Sequence, residues 1–488
     1  MKHSAEMNDF LTVETVTRVT DGRLVDGSAD AGPASGASID TRELAAGQLF
    51  VALAGERTDG HEHLQAASDA GASIALVERD VEPPLIPSDP PDSSGASRDI
   101  SMAIVRVESC RRALAALASA YRDTLRSTRV IAVTGSNGKT TTVRLIDAVL
   151  STAMGGSASR KSFNNELGLP LTILNAAPTD GYLVCEVGMS TPGEIRGLAS
   201  VVRPDIGVIT SIGRAHLEAF GTTEAIAVEK ASLLQELAGG GLGIVNADHE
   251  ELTPALPADI DLVRFGKDSS ADVRVTSVIP TAAGIRFMIG DASAFEVPLH
   301  GVHNATNAAA AIAVARRMGL DDATIAGGLR GASPPPMRFE ARQIGSVEII
   351  NDAYNANPDS MLASLAAFAL RSAPAGRRVV VLGDMLELGA AAEHEHRLIG
   401  EAIARSVESG TGPDAAVLVG PMMAFAAHAV RGALGSDAVT TAGETGDGSG
   451  IASLLAPGDA VLLKGSRGIG LERVAAALGR TEAAPSAR

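Results

Sequence analysis

The stretch "VIAVTGSNGKTTTVRLI", from Val130 to Ile146, constrains the fold more than any other part of the chain. A β-branched run stops at a glycine, a second glycine closes a tight turn, and a helix-forming run follows at once. That order demands a strand, a turn and a helix in succession. Gly135 and Gly138 accept backbone conformations closed to residues with a Cβ, so successive amide N–H groups can face an anion at the positive end of the helix. Lys139 would then reach terminal phosphates, and Thr140 would offer its hydroxyl to Mg2+. An ordinary strand–turn–helix is the plainer alternative. The usual phosphate loop also carries glycine five residues before its second glycine, and this chain has Val133 there.

The same strand and helix alternation recurs. "GYLVCEVG", "PDIGVITSIG" and "LGIVNAD" are apolar runs separated by helix-like stretches, which predicts a parallel α/β sheet. A chain of 488 residues exceeds one ordinary core, and its punctuation divides it into residues 1–127, 128–333 and 334–488. The first segment holds "QLFVAL", "ASIALVE" and the helix "CRRALAALASAYRDTL", with the proline- and serine-rich "RDVEPPLIPSDPPDSSGASRD" expected as an exposed, mobile loop. Prolines 334–336 stop regular structure and open the third segment. There "VEIINDAY", "RRVVVLGDM", "AAVLVG" and "DAVLLKGS" repeat the alternation as a smaller Rossmann-like domain. The tail "RTEAAPSAR" is expected to fray.

Hydrophobic residues make up 45% of the chain but aromatic ones only 3%, which suits aliphatic parallel strands. A net charge of −17 argues against a nucleic-acid surface. The N-terminal residues lack an apolar signal core and no run reaches the ~18 residues of a membrane span, so a cytoplasmic protein without a membrane partner is expected. Cys110 and Cys185 sit in apolar strings without metal-ligand spacing and read as buried thiols.

Two polar residues interrupt apolar strands or end them. Glu186, in "LVCEVGMS", is either a metal-side carboxylate or a partner for an arginine, because a buried unpaired carboxylate is costly. His216, in "SIGRAHLEAFG", falls at a strand's carboxyl end, where ligands gather, yet a lone histidine there is more often structural than catalytic. Lys230, in "AIAVEKASLL", reads from residues alone as a solvated helix lysine.

Together "TGSNGKTT", "FNNELGLPLTIL", "EVGMSTPGEI", "RPDIGVITSIGRAHLEAFGTTEAIAVEKASLL", "GVHNATNAAAA" and "INDAYNANPDSM" occur in an order that resembles the Mur ligase family, the ATP-dependent amide-forming enzymes of peptidoglycan precursor synthesis. The resemblance runs from about Ser38 to Val474, and the family's loop is the shortened T-G-[ST]-N-G-K-[ST]. It implies an N-terminal UDP-sugar-binding α/β domain, a central phosphate-loop ATPase domain and a C-terminal Rossmann-like domain. "DAYNANPDSM", "VVLGDMLELG" and "LLKGSRGIGLE" best fit the member that joins D-alanyl-D-alanine to UDP-N-acetylmuramoyl-tripeptide. The tripeptide carboxylate would take the γ-phosphate of ATP, become an acyl phosphate and yield to the incoming amine. Alternatives are the relative that adds the third amino acid and a phosphate-loop NTPase of another kind.

The resemblance also implies roles. Thr134, Gly135, Ser136, Asn137, Gly138, Lys139, Thr140 and Thr141 would hold ATP, with Asn304 and Asn307 beside adenine and Arg338, Asp352 and Tyr354 reaching back from the last domain. Arg338 would neutralise phosphate and Asp352 accept from ribose hydroxyls, while Tyr354 has no assigned role. Thr140 and Glu186 match ligands of one Mg2+, His216 matches a ligand of a second, and Lys230 matches a carbamylated lysine. Ser38, Thr41 and Arg42 would hold the diphosphate of the UDP-sugar, and Asn164 and Asn165 would contact substrate. Asp384 and Glu387 would bind the dipeptide amine, and Lys464 or Arg467 its carboxylate or phosphate. A monomer that closes over its substrates is expected.

Overall fold

Most of the apolar runs named above become strands, divided among three sheets. The computed structural model describes residues 9–55, 58–82, 102–160, 162–371 and 375–483. The greater part of the proline- and serine-rich stretch, the first eight residues and residues 484–488 lie outside these. The last helix, Glu472–Ala483, carries the start of the tail that was expected to fray.

The N-terminal sheet runs in the order Arg23–Asp26, Ala103–Arg106, Ile74–Val77, Leu49–Val51, Ala37–Ser38, and its pairs are parallel except the first. The helix Cys110–Arg122 buries Cys110, Ala113, Leu114, Leu117, Ala118 and Tyr121, a helical spacing that makes one apolar face. Ser109 caps its start by accepting from the Arg112 amide. This helix packs on the central domain's helices Gly168–Leu174 and Glu194–Val202. Its Tyr121 hydroxyl donates to the Ala176 carbonyl at 2.8 Å, and Arg122 donates to the carbonyls of Val202 and Arg203.

The central sheet has nine strands, ordered Gly156–Ala158, Tyr182–Glu186, Arg129–Thr134, Ile206–Ile209, Leu242–Asn246, Asp261–Gly266, Val273–Thr281, Gly284–Ile289, Ser293–Val297. It is parallel through the seventh and antiparallel beyond. The strand Arg129–Thr134 feeds two cores. Val130 and Ala132 face the N-terminal side, while Ile131 and Val133 face the helix His303–Arg317. Burying an Ile or Val side chain contributes about 1.5–3 kcal/mol, which fixes this strand at the centre of the molecule. Cys110 and Cys185 are buried free thiols.

The C-terminal sheet is ordered Glu340–Ile344, Val347–Asn351, Ala460–Lys464, Arg378–Gly383, Ala415–Val419, Val439–Ala442, antiparallel only at its first pair. Its carboxyl ends face those of the central strands across a cleft of about 1190 Å3. Among the described residues no helix is long and apolar enough to cross a membrane.

Candidate active site

The strand Arg129–Thr134 ends against its neighbour so tightly that the loop following it has a single path. A Cβ on Gly135, whose φ is +150°, would stand 1.9 Å from the Thr210 hydroxyl oxygen. A Cβ on Gly138, at φ +84°, would stand 2.3 Å from Asn307 Oδ1. Between them Ser136 donates to the Gly213 carbonyl, and the hydroxyls of Thr210 and Ser211 donate to the Asn137 carbonyl. The helix Lys139–Leu150 then starts with its free amides toward the cleft. Lys139 Nζ donates to the Gly135 carbonyl at 2.7 Å, folding its charge over the loop. Burial lowers the Lys139 pKa, Glu186 opposes that shift and Arg338 adds to it.

Glu186 ends the neighbouring strand and is 1% exposed. It accepts from the Thr140 hydroxyl at 2.7 Å and from Asn164 Nδ2 at 2.8 Å. Thr140 in turn accepts from Arg338 Nη2 at 2.8 Å. The carboxylate of Glu186 is thus met by a hydroxyl and an amide, and the arginine of the cluster reaches Thr140 rather than the carboxylate itself. Asn165 lines the same cleft, and its Oδ1 accepts from the amides of Leu167 and Gly168 at a helix start.

Lys230 corrects the residue-only reading. It is 1% exposed, its amine meets the Met189 sulfur at 3.6 Å, and it forms no ion pair among the described residues. Burial first, and then the nearby charge of Lys139, lower its pKa well below that of an ordinary lysine. The adjacent Glu229 faces away and accepts from the amides of Gly193 and Ile195.

His216 stands in the left-handed region at φ +61° and pairs through Nδ1 with Glu387 Oε2 at 2.5 Å. It is thus held by the C-terminal domain while lining the same cleft as Glu186. Among the described residues no three His, Cys, Asp or Glu side chains cluster as a metal site. Asn304 donates to the His300 carbonyl and accepts from Asn307 Nδ2, so this pair buttresses the phosphate loop from below while both residues line the cleft.

In the last domain the expectations divide. Arg467, Glu387 and Lys464 line the cleft. Asp384 does not; it is 3% exposed and accepts from the amides of Met422 and Met423, capping the turn that leads into the helix Ala424–Leu434. Lys464 is buried too, and its donors go to Asp352 Oδ2 at 2.9 Å, the Asn355 carbonyl at 2.9 Å and the Asp352 carbonyl at 3.4 Å. That leaves no donor for a substrate carboxylate. Tyr354 lies under Arg338, whose guanidinium carbon is 4.3 Å from the ring centroid.

Ser38, Thr41 and Arg42 lie in the N-terminal domain outside this cleft. Ser38 donates to the Asp40 carbonyl and Arg42 pairs with the Asp40 carboxylate. Sequence reasoning missed the residues that join the central and last domains. Arg214 bonds Asp359 and Glu395, and Asn137 in the loop itself exchanges amide bonds with Asn357. "NPDS" carried a helix-start signal, since Asn357 caps the helix Pro358–Ala369, but nothing in it pointed across the cleft.

Family comparisons agree with this geometry. The Mur ligase family, catalytic domain, matches residues 33–122; the Mur ligase middle domain matches 133–315; the Mur ligase, glutamate ligase domain, matches 337–467. A UDP-N-acetylmuramoyl-tripeptide--D-alanyl-D-alanine ligase of Bacillus subtilis is 35% identical over 95% of this chain and 97% of its own. The protein of the same name from Escherichia coli is 33% identical over 80% and 83%. Crystal structure I of MurF from Acinetobacter baumannii superposes with a TM-score of 0.77 at 28% identity, covering 96% of this chain and 98% of that one. MurF ligase from Thermotoga maritima, in complex with ADP, gives 0.72 at 27% identity over 91% and 97%.

Proposed function

The chain belongs to the Mur ligase family, and from that premise we propose that it joins D-alanyl-D-alanine to UDP-N-acetylmuramoyl-tripeptide with hydrolysis of ATP to ADP and phosphate, as an ATP-dependent carbon–nitrogen ligase of peptidoglycan precursor synthesis. The observation that carries this reading is the meeting of Lys139, the Thr140–Glu186 pair and Arg338 in one cleft between two domains. A carboxylate attacking a γ-phosphate brings two anions together, so cations fixed at the phosphates supply most of the catalysis.

In this proposal the tripeptide carboxylate takes the γ-phosphate and ADP leaves. The D-alanyl-D-alanine amine then attacks the acyl phosphate carbonyl, its nitrogen gives up a proton, and phosphate departs with the electron pair of the C–O bond that breaks and takes up the equivalent of that proton. Lys139 and Arg338 neutralise the phosphates, and the loop amides between Gly135 and Thr141 orient them. The oxygen donors of Thr140 and Glu186 suit Mg2+, which when bound would offset phosphate charge. A second ion at His216 is the finer part of the proposal; with Nδ1 on Glu387, Nε2 is the ring nitrogen that would hold it. The depressed pKa and dry setting of Lys230 favour a neutral amine able to add CO2, which supports its proposed carbamylation. Asn164 reaches substrate in this reading, Asn304 and Asn307 flank adenine, and Ser38, Thr41 and Arg42 hold the UDP diphosphate. Arg467 and Glu387 are the remaining candidates for the dipeptide.

We carry domain limits of 1–127, 128–333 and 334–488, a monomeric state and a cytoplasmic setting without nucleic-acid or membrane partners as parts of the same proposal; the charge of −17 supports the exclusion of nucleic acid. Phosphate release from ATP should require both UDP-N-acetylmuramoyl-tripeptide and D-alanyl-D-alanine. Release indifferent to the dipeptide would favour an NTPase of another kind, and release driven by single amino acids on the UDP-linked dipeptide would favour the third-residue ligase.

A further inference from the structure

Arg338 is presented to the phosphate loop by a strained turn. Met337 and Phe339, on either side of it, have φ of +57° and +56°, left-handed conformations that a residue with a side chain holds only when neighbours enforce them. The neighbours are identifiable. Met337 N donates to Glu340 Oε2 at 3.0 Å, and the Met337 carbonyl accepts from Tyr354 N at 3.2 Å. Phe339 N donates to Asp352 Oδ1 at 3.0 Å. Asp352 itself is clamped by Lys464 Nζ at 2.9 Å and Ser364 Oγ at 2.5 Å. Beyond the turn the Arg338 guanidinium lies on the Tyr354 ring and reaches Thr140 Oγ1.

The turn is thus held at its backbone through Asp352 and Lys464, and the guanidinium is held by Tyr354 and Thr140. We infer that Lys464 and Tyr354 are positioning residues for Arg338, so that they serve the nucleotide phosphates and not the dipeptide. Lys464 acts through the Asp352 carboxylate, whose burial beside it leaves an uncompensated charge when the ammonium is lost. Tyr354 acts through its ring face, because the stack needs the π-system and not the hydroxyl. This inference rests on the reading that Arg338 meets the phosphates of ATP.

The test measures binding of a non-hydrolysable ATP analogue by calorimetry, with KM for ATP and for D-alanyl-D-alanine, in full-length variants. Tyr354→Leu should weaken analogue binding roughly three- to thirtyfold, the range of a partly desolvated cation–π contact, and Tyr354→Phe should recover most of it. Lys464→Met should raise KM for ATP with KM for the dipeptide unchanged, and should add little in an Arg338→Ala background. If Lys464→Met does not fold, the Tyr354 pair decides alone. An impaired Arg338→Ala beside unimpaired Tyr354→Leu, or a Lys464→Met defect confined to the dipeptide KM, overturns the inference and leaves the function reading intact. Unaltered analogue binding in Arg338→Ala removes its premise and overturns both the inference and the proposed role of Arg338.

Discussion

Arg214 in the central domain holds Asp359 in the last domain by three bonds, from its amide at 2.7 Å and from Nε and Nη2 at 3.0 and 2.6 Å. Its remaining terminal nitrogen, Nη1, donates to Glu395 at 2.9 Å. The neighbouring Gly213 permits this approach, since a Cβ there would lie 2.6 Å from Asp359 Oδ2. With Asn137–Asn357 and His216–Glu387, these contacts draw the last domain onto the phosphate loop.

Removing this clamp should loosen the closed arrangement. Bonds to charged groups contribute about 1.5–3 kcal/mol each, so Arg214→Ala should increase the radius of gyration of the ligand-free protein in small-angle scattering. Arg214→Lys should fall between, because an ammonium cannot reproduce the forked geometry. An Arg214→Ala protein with wild-type scattering would show that other contacts alone hold the domains.

Lys230 trades stability for function in this account. Its folded pKa is depressed, so between that value and the ordinary lysine pKa the unfolded chain binds the extra proton, and stability rises with pH across that window. Lys230→Met removes the buried amine and should raise Tm near neutral pH while abolishing ligation. Lys230→Ala should also be inactive, with partial recovery in short carboxylic acids that stand in for a carbamate. Full activity of Lys230→Ala without added acid would sink the proposed role.

Gly138 offers a test of the loop that separates sterics from backbone strain. Gly138→Ala should abolish nucleotide binding, since the new methyl meets Asn307 Oδ1. Adding Asn307→Ala removes that clash but leaves the +84° φ, which costs an alanine about 1–2 kcal/mol. Measured against Asn307→Ala alone, ADP titration should therefore show at most partial recovery in the double variant; recovery to the Asn307→Ala affinity would mean that the clash was the whole effect.

The acid side of stability should depend on His396. This ring is fully buried, accepts from Met385 N through Nε2 at 2.9 Å and meets the Ala392 carbonyl through Nδ1 at 2.6 Å, so Nδ1 carries the proton. Burial lowers its pKa. The unfolded state then takes up the proton first, and stability falls as the pH drops through the ordinary histidine value of about 6.5. His396→Gln should flatten the decline in Tm between neutral pH and pH 5.5, and an unchanged slope would assign that decline to His249, His300 or His303, whose pKa values burial also lowers.

The order of strands and helices, the phosphate loop and the carboxyl-edge placement of His216 followed from the sequence, because periodicity, β-branched runs and glycine punctuation act over a few residues. The antiparallel strands Gly284–Ile289 and Ser293–Val297 had no such signature, and most of the proline- and serine-rich stretch, expected as a mobile loop, lies outside the described residues. Tertiary structure decided what each charge does. Lys230 looked solvated until the fold buried it, and Asp384 looked like a ligand for an amine until the turn it caps was in place. Lys464 met Asp352, 112 residues away, and Arg214 met Asp359, 145 away. A short-range pattern determines where a side chain starts, but its protonation, its partners and its freedom depend on the groups folded against it, and those come from distant parts of the chain.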